Sequence, residues 1–283
     1  MDTPSIYKSP QGYTKIMAMY DSVLNRWPVP FETRTVPTRH GDTFIIASGS
    51  LASPALILLH GSCSNAVSWI GNIVEYSKLF RVFAVDIPGE PGRSSPNRPD
   101  WNSPAYAEWL EDVLDRLDIK KAILLGISQG GWTALKFATY APERLTKLVL
   151  ISPAGIVPAK LSFVIKAVLL SILGKLGAQA INRITFGKDS IPGEAILFMD
   201  AIMTHFKPRI GNMAMFTDIE LKRLGMPILL IGGELDPIQA NVRIAARMRK
   251  LLPDIITVIL PDKGHVLVNT SEIILPFLKD KDK

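Results

Sequence analysis

The feature that most constrains the fold of this chain is a series of short apolar segments, each followed by a stretch with helical periodicity. Several segments are apolar at successive positions, which is typical of strands buried on both faces of a parallel sheet. The predicted strands are Thr33–Val36, Phe44–Ala47, Ala55–His60, Val82–Asp86, Ala122–Ile127, Lys147–Ile151, Pro227–Ile231 and Ile255–Leu260. The first two are separated by a short polar turn with one glycine, so we expect them to pair antiparallel.

Helical patterns occupy the intervals between these strands. They lie at Ala66–Lys78, Pro104–Leu117, Trp132–Tyr140, Gln239–Leu251 and Ser271–Lys279. Strand–helix alternation of this kind predicts right-handed crossovers and an α/β fold with a mostly parallel, eight-stranded, doubly wound sheet. The core of that fold is expected over residues 29–152 and 226–283. Residues 1–28 carry a weaker helical pattern and are expected to form a helical extension outside the sheet.

The alternation breaks once, between Ile151 and Pro227, where no strand pattern occurs. We expect residues 153–225 to form a helical cap over the edge of the sheet. Within it, Ile156–Leu176 is strongly apolar, but Lys166 would lie in the middle of a membrane span, which is costly. We therefore expect no stable membrane insertion. The stretch fits an amphipathic helix packed on protein, or a surface that contacts a lipid-like substrate.

The most informative motif is Gly126-Ile127-Ser128-Gln129-Gly130, a G-x-S-x-G sequence between an apolar strand and a helix. A serine on a sharp strand-to-helix turn projects its hydroxyl into open space, and the flanking glycines let neighbouring backbone approach. The motif alone is a weak signal, and a serine that merely caps the helix is the alternative. Its position in the strand series favours Ser128 as a nucleophile.

A serine nucleophile needs a base, and the chain order serine, acid, histidine is expected for such a turn. Only His205 and His265 follow Ser128, and His205 falls inside the predicted cap. His265 follows a strand directly, where α/β sheets place their chemistry. We therefore predict His265 as the general base.

Two carboxylates follow the preceding strand, Glu234 and Asp236. We favour Asp236 as the acid that orients the base, because it lies deeper in the loop and precedes Pro237, which would begin the next helix. The alternative role of Asp236 is to cap that helix.

An oxyanion formed on an ester carbonyl needs backbone N–H donors. The N–H of Gln129, at the start of the helix after Ser128, is one candidate. The strand that ends at His60-Gly61 can supply the other through the N–H of Ser62. We expect His60 to be structural, and Cys63 to be a small buried residue or one at the rim of the pocket.

Composition excludes several other classes of protein. The net charge is +6, but the basic residues are dispersed, so no nucleic-acid surface is predicted. No phosphate-binding glycine motif follows a strand, which argues against a nucleotide-binding protein. The four histidines lack metal-ligand spacing, and we predict neither a metal nor a cofactor. One cysteine and no signal-peptide pattern favour a cytoplasmic protein.

Together these segments resemble the α/β-hydrolase superfamily over nearly the whole chain. The resemblance rests on His60-Gly61, Asp86–Ser94, Gly126–Gly130, Gly233–Asp236 and Gly264-His265. The Asp86–Ser94 segment is similar to the family's D-x-x-G-x-G-x-S loop but is one residue longer between the glycines, where Glu90 and Pro91 stand. Trp27–Val29, Ile46–Gly49 and the position of the cap look similar to bacterial carboxylesterases of the naproxen-esterase type.

The resemblance implies nucleophile Ser128, acid Asp236, base His265 and oxyanion donors Ser62 and Gln129. We therefore expect a serine hydrolase that cleaves a small, hydrophobic carboxylic ester through an acyl-enzyme. Phe198, Met199, Ile202, Met203 and Phe206 fall at helical spacing and either line its pocket or pack the cap onto the core. The same triad could serve C–C bond hydrolysis, perhydrolysis or acyl transfer, or belong to a slow-turnover ligand-binding receptor.

Overall fold

A computed structural model describes residues 5–187, 191–209, 211 and 213–280 of the chain. Its centre is one eight-stranded sheet. In chain order the strands are β1 (Phe31–Val36), β2 (Thr43–Ser48), β3 (Ala55–Leu59), β4 (Arg81–Val85), β5 (Ala122–Ile127), β6 (Leu145–Ile151), β7 (Ile228–Gly233) and β8 (Ile256–Leu260). Their order across the sheet is β1-β2-β4-β3-β5-β6-β7-β8.

Strand directions within this sheet agree with the prediction. β2 pairs antiparallel with both β1 and β4, and all other neighbouring strands are parallel. The predicted mostly parallel, doubly wound α/β sheet is therefore confirmed. Because the carboxyl ends of β3 to β8 lie at one edge, the loops that follow these strands meet there.

Helices cover both faces of the sheet and fill the interval between β6 and β7. They are α1 (Pro10–Leu24), α2 (Ile73–Ser77), α3 (Ala105–Arg116), α4 (Gln129–Tyr140), α5 (Leu161–Ser171), α6 (Gly174–Phe186), α7 (Gly193–His205), α8 (Asp218–Leu221), α9 (Asn241–Leu251) and α10 (Ser271–Lys279). The single helix predicted over Ala66–Lys78 is instead a 3₁₀ helix, Ala66–Gly71, followed by α2. The two are separated at Asn72, whose amide side chain donates a hydrogen bond to the Ser271 hydroxyl at 3.0 Å.

The hydrophobic core has two parts, one on each face of the sheet. Within β3, Ile57 and Leu59 pack in one part and Leu56 and Leu58 in the other, all four fully buried. Burial on both faces explains why the strand sequences are continuously apolar.

The extension before the sheet is tied to the core by α1. Ile16 and Tyr20 on this helix are fully buried, and the Tyr20 hydroxyl donates a hydrogen bond to Asp86 Oδ2 at 3.1 Å. Asp86 directly follows β4, so α1 supports a loop at the carboxyl edge of the sheet.

The insertion between β6 and β7 contains α5 to α8. Phe198, Ile202 and Phe206 are buried in the core that also holds α1, whereas Met199 and Met203 are half-buried. No helix in the described ranges is both long and apolar enough to cross a membrane. α5 lies in the stretch for which a helix packed on protein and a surface that contacts a lipid-like substrate were both expected, and most of its large apolar side chains are exposed.

Candidate active site

Ser128 occupies the turn between β5 and α4 in a conformation that few non-glycine residues adopt. Its φ is 53° and its ψ is −109°. A backbone held in this region stores about 1–3 kcal/mol of strain. The hydroxyl is partly exposed and accepts or donates no hydrogen bond within the described part of the chain. It is therefore free to meet a ligand.

The two glycines of the motif are required by close backbone contacts. A Cβ on Gly126 would lie 2.3 Å from the carbonyl oxygen of Gly130, and one on Gly130 would lie 2.1 Å from that of Leu59. Real Cβ atoms do not come this close, so a larger residue at Gly126 would distort the turn, and one at Gly130 would push the turn away from β3. The spacing of the motif is thus a packing requirement of the turn and of its contact with β3.

Asp236 and His265 form a buried pair at the same edge of the sheet. Asp236 Oδ2 accepts a hydrogen bond from His265 Nδ1 at 2.7 Å, and the exposed fractions of the two residues are 0% and 7%. With Nδ1 protonated and donating, Nε2 of the neutral imidazole has a lone pair available as a base. Glu234, the other candidate acid, is exposed, and His205 contacts α1 at Gly12.

Asp236 does not cap α9, its alternative interpretation, because the N-cap residue of that helix is Ala240; it binds the turn that precedes the helix instead. Its Oδ1 accepts the backbone N–H groups of Ile238 and Gln239 at 2.7 and 2.9 Å, and Asn241 Nδ2 reaches Oδ2 at 2.9 Å. Burial alone would raise the pKa of Asp236, but the hydrogen bonds from His265 and from the two N–H groups outweigh it and hold this pKa below its usual range. The carboxyl is therefore ionised at neutral pH.

The loops that carry the three residues converge because of the strand order. Ser128 follows β5, Asp236 follows β7, and β6 lies between them, so their strands are roughly 10 Å apart. The loop of His265 crosses the end of β7, since a Cβ on Gly233 would lie 2.1 Å from the carbonyl oxygen of Gly264. The imidazole of His265 therefore lies beside Asp236 at the edge of the sheet that also carries Ser128.

The two predicted oxyanion donors lie beside each other. A Cβ on Gly61 would be 3.6 Å from Ser128 Cβ, so the loop after β3 lies against the turn of Ser128. The Ser62 hydroxyl donates a hydrogen bond to Gln129 Oε1 at 2.6 Å. Neither the N–H of Ser62 nor that of Gln129 donates to another residue within the described ranges. Both N–H groups are available to an oxyanion.

His60 holds this loop rather than taking part in chemistry. Its Nε2 accepts the N–H of Ile87 at 3.0 Å, so Nδ1 carries the proton that reaches the Gly61 carbonyl oxygen at 2.8 Å. Burial lowers the pKa of His60 to about 4, so the ring is neutral near pH 7. This agrees with the structural role expected from the sequence.

Glu90 is a buried carboxyl beside the loop that follows β3, and the sequence analysis did not select it as a site residue. Its Oε2 accepts the N–H of Cys63 at 2.7 Å, and Cys63 has a φ of 54°. Burial raises the pKa of Glu90 to about 7, against the lowering effects of the Cys63 N–H, the Gln129 amide and Arg98. The sequence feature that pointed to this position was the extra residue between Gly89 and Gly92, where Glu90 stands.

The candidate site has no obvious place for a metal. Within the ranges that the structure describes, no three His, Cys, Asp or Glu side chains cluster as metal ligands would.

Comparison with known proteins places the chain among related sequences and structures. A family model described as the alpha/beta hydrolase fold matches residues 54–171. Carboxylesterase YbfK of Bacillus subtilis (strain 168) is 35% identical over 259 residues, which cover 88% of this chain and 86% of that protein. The uncharacterized carboxylesterase nap of the same organism is 32% identical, covering 88% and 85%.

Solved structures give the same result. The crystal structure of naproxen esterase (carboxylesterase NP) from Bacillus subtilis superposes with a TM-score of 0.85 at 28% identity, covering 96% of this chain and all (100%) of that one. That of carboxylesterase CesB (YbfK) from the same organism has a TM-score of 0.84 at 32% identity, covering 95% and 99%.

Proposed function

Because the chain belongs to the α/β-hydrolase family and is an enzyme of the carboxylesterase type, we propose that it cleaves carboxylic esters through an acyl-enzyme on Ser128. The observation that carries this proposal is the buried pair of Asp236 and His265, at the sheet edge that also carries the strained Ser128 turn. A carboxylate that fixes the tautomer of an imidazole, with a serine hydroxyl at the same edge of the sheet, supplies the groups that acyl transfer requires.

In the proposed reaction, His265 Nε2 takes the proton of the Ser128 hydroxyl while Oγ attacks the ester carbonyl carbon. Asp236 keeps Nδ1 protonated and stabilises the imidazolium that forms. The tetrahedral oxyanion accepts hydrogen bonds from the N–H groups of Ser62 and Gln129. The imidazolium then protonates the departing alkoxide, which leaves an ester bond between Ser128 and the acyl group.

The second half repeats these steps with water. His265 removes a proton from a water molecule, which attacks the acyl carbon of the Ser128 ester. The oxyanion again forms at Ser62 and Gln129, and its collapse releases the carboxylic acid and returns the proton to Ser128 Oγ.

Apolar side chains in the insertion favour an uncharged, hydrophobic substrate. The division into an extension (1–28), a core (29–152 and 226–283) and a cap over the site (153–225) is part of the proposal. So is a cytoplasmic location, which rests on the single cysteine, Cys63.

The decisive experiment combines a fluorophosphonate probe, intact-protein mass spectrometry and a panel of p-nitrophenyl esters. We expect one phosphonyl adduct on Ser128, a burst of one p-nitrophenol per enzyme, and multiple turnovers. Labelling of Ser128 with negligible steady-state turnover would instead indicate a ligand-binding receptor. Turnover of a C–C diketone, or perhydrolysis, in preference to every ester would contradict the assignment of an esterase.

A further inference from the structure

The α5 helix presents a continuous row of large apolar side chains to solvent. The row occupies helical positions i, i+3, i+4, i+7, i+8 and i+11, which lie on one side of a helix. We call it the α5 stripe: Leu161, Val164, Ile165, Val168, Leu169 and Ile172. The exposed fractions of these residues run from 45% for Val164 to 79% for Ile172.

An apolar helical stripe normally packs against the core of its own protein. Here the stripe continues across the link to α6, where Leu173 and Leu176 are 59% and 72% exposed. Exposed apolar patches of this kind mark sites that bind another molecule or a membrane.

Charge around the stripe identifies the kind of partner. No Asp or Glu occurs from Leu161 to Gly187, whereas Lys166, Lys175 and Arg183 do, and Lys160 directly precedes the stretch. A second copy packed on the same face would bring like charges together without a neutralising acid. Apolar side chains flanked only by basic ones are typical of helices that lie on anionic lipid.

Helix length decides how such a surface would meet a bilayer. α5 has 11 residues, and at 1.5 Å per residue it is about 16 Å long, roughly half of what a membrane span needs. Such a helix can lie in the plane of the headgroups, with its apolar face toward the acyl chains and its one lysine, Lys166, toward the phosphates.

The α5–α6 hairpin is also connected at both ends to the loops of the candidate site. Lys160, immediately before α5, donates a hydrogen bond from Nζ to the carbonyl oxygen of Asp236 at 2.6 Å. Gly187, immediately after α6, is so close to Gly264 that a Cβ on Gly187 would lie 3.6 Å from its Cα. Gly264 precedes His265, so the hairpin that carries the exposed apolar surface begins and ends beside the loops of Asp236 and His265.

We propose that the α5 stripe, with Leu173 and Leu176, is a docking surface for an anionic lipid bilayer. Docked in this way, the enzyme would draw amphiphilic esters from the membrane into the site beside the hairpin. This second statement rests on the proposed function, whereas the binding itself does not.

The binding test uses co-sedimentation of the full chain with sucrose-loaded vesicles. One set is phosphatidylcholine alone, and the other contains about 30% phosphatidylglycerol. We expect the wild-type chain to pellet with the anionic set, at least about tenfold more strongly than with the neutral set, and to be released by about 1 M NaCl.

A matched pair of double variants tests the surface. In Ile172→Asp/Leu176→Asp, two positions 79% and 72% exposed acquire charge, and we expect binding to fall by at least about tenfold. In Leu51→Asp/Ile219→Asp, two positions that are both 79% exposed but outside the surface acquire the same charge, and binding should stay within about twofold of wild type. Circular dichroism and a thermal melt check that all three chains are folded.

The outcomes separate docking from catalysis. Ser128→Ala should bind vesicles like wild type even though it does not turn over, so failure of the esterase proposal leaves this test intact. Equal pelleting of both double variants would overturn the docking surface. So would a wild-type dimer that dissociates in Ile172→Asp/Leu176→Asp while no chain binds vesicles, because the occupant would then be a second copy.

Discussion

The Ser62 hydroxyl donates a hydrogen bond of 2.6 Å to Gln129 Oε1, so the side chains of the two proposed oxyanion donors are tied together. The donors themselves are backbone N–H groups from different elements, the loop after β3 and the start of α4. We therefore expect the hydrogen bond between the side chains to fix the positions of the two N–H groups relative to each other without contacting the oxyanion.

Removing this tie should lower turnover only slightly. In Ser62→Ala the backbone N–H remains, and one neutral hydrogen bond is worth about 1 kcal/mol, so we expect kcat to fall by about fivefold with little change in KM. Gln129→Ala and the double variant complete a cycle, and the double should be no worse than the more severe single. A loss of about a thousandfold in Ser62→Ala would mean that the hydroxyl itself contacts the reacting atoms.

Replacing Ser128 separates its chemistry from its backbone strain. Ser128→Ala and Ser128→Gly should both lower kcat for p-nitrophenyl acetate by roughly 10⁴-fold or more. Only glycine adopts a φ of 53° without strain, so Ser128→Gly should also raise the free energy of unfolding by about 1 kcal/mol relative to Ser128→Ala. Urea unfolding of the two variants measures that difference. Wild-type turnover in either would refute the nucleophile.

Asp236→Asn should lower kcat by roughly 10⁴-fold while the chain stays folded. The Asn oxygen can still accept the N–H groups of Ile238 and Gln239, but its NH₂ would then face His265 Nδ1. The imidazole would have to carry its proton on Nε2, where it is no longer a base. Steady-state kinetics checks this.

Glu234→Gln is the matched control for that variant, since Glu234 lies two residues earlier and is exposed. It should keep wild-type kinetics. The reverse pattern, with Glu234→Gln inactive and Asp236→Asn active, would assign the acid to Glu234.

Glu90 should make the folded state less stable as the pH rises. Burial raises the pKa of Glu90 from 4.5 to about 7. Its contribution to the free energy of unfolding is therefore fully present below about pH 4.5 and is lost as the pH rises through about 7. Glu90→Gln is uncharged throughout this range, so wild type should lose stability relative to the variant as the pH rises. We expect the unfolding free energy of Glu90→Gln minus that of wild type to increase by on the order of 3 kcal/mol between about pH 4 and about pH 8.

Urea titrations of both chains at several pH values measure this difference. Asp86, whose pKa burial raises to about 6, is present in both chains and cancels. Glu143→Gln, at an exposed carboxyl, should show no such trend. A difference between wild type and Glu90→Gln that is independent of pH would contradict the raised pKa.

Local sequence predicted the sheet well because its central strands, such as β3, β4 and β5, are buried on both faces. A run such as Ala55–Leu59, apolar at every position, has few alternatives between two glycine- or proline-containing turns. The order of the strands across the sheet was harder to predict from local sequence, because long-range packing sets the position of β4 between β2 and β3. The break at Asn72 depends on its contact with Ser271, about two hundred residues away, which no local pattern contains.

In the candidate site too, local sequence predicted some features, whereas others depend on contacts between distant residues. The turn of Ser128 was recognisable because close backbone contacts, within the turn and with β3, require its two glycines. The choice between Asp236 and Glu234 rested on loop position, and the prediction of Asp236 as the acid stays open to the kinetic test above. Glu90 could not be selected, because a carboxylate beside glycines reads as a surface residue until burial is known. For α5, helical periodicity indicated an apolar face but not what covers it, so packing on protein and contact with a lipid-like substrate both stayed open.

The two oxygens of Asp236 divide their contacts, Oδ1 to the turn that leads toward α9 and Oδ2 to the imidazole of His265. One carboxylate thus stabilises its own loop and orients the imidazole ring of His265 at the same time. A ring positioned in this way is set when the polypeptide reaches its native state, before any ligand arrives. Little reorganisation is then needed when a substrate binds. Local unfolding of this single loop would inactivate the proposed site while leaving the sheet intact.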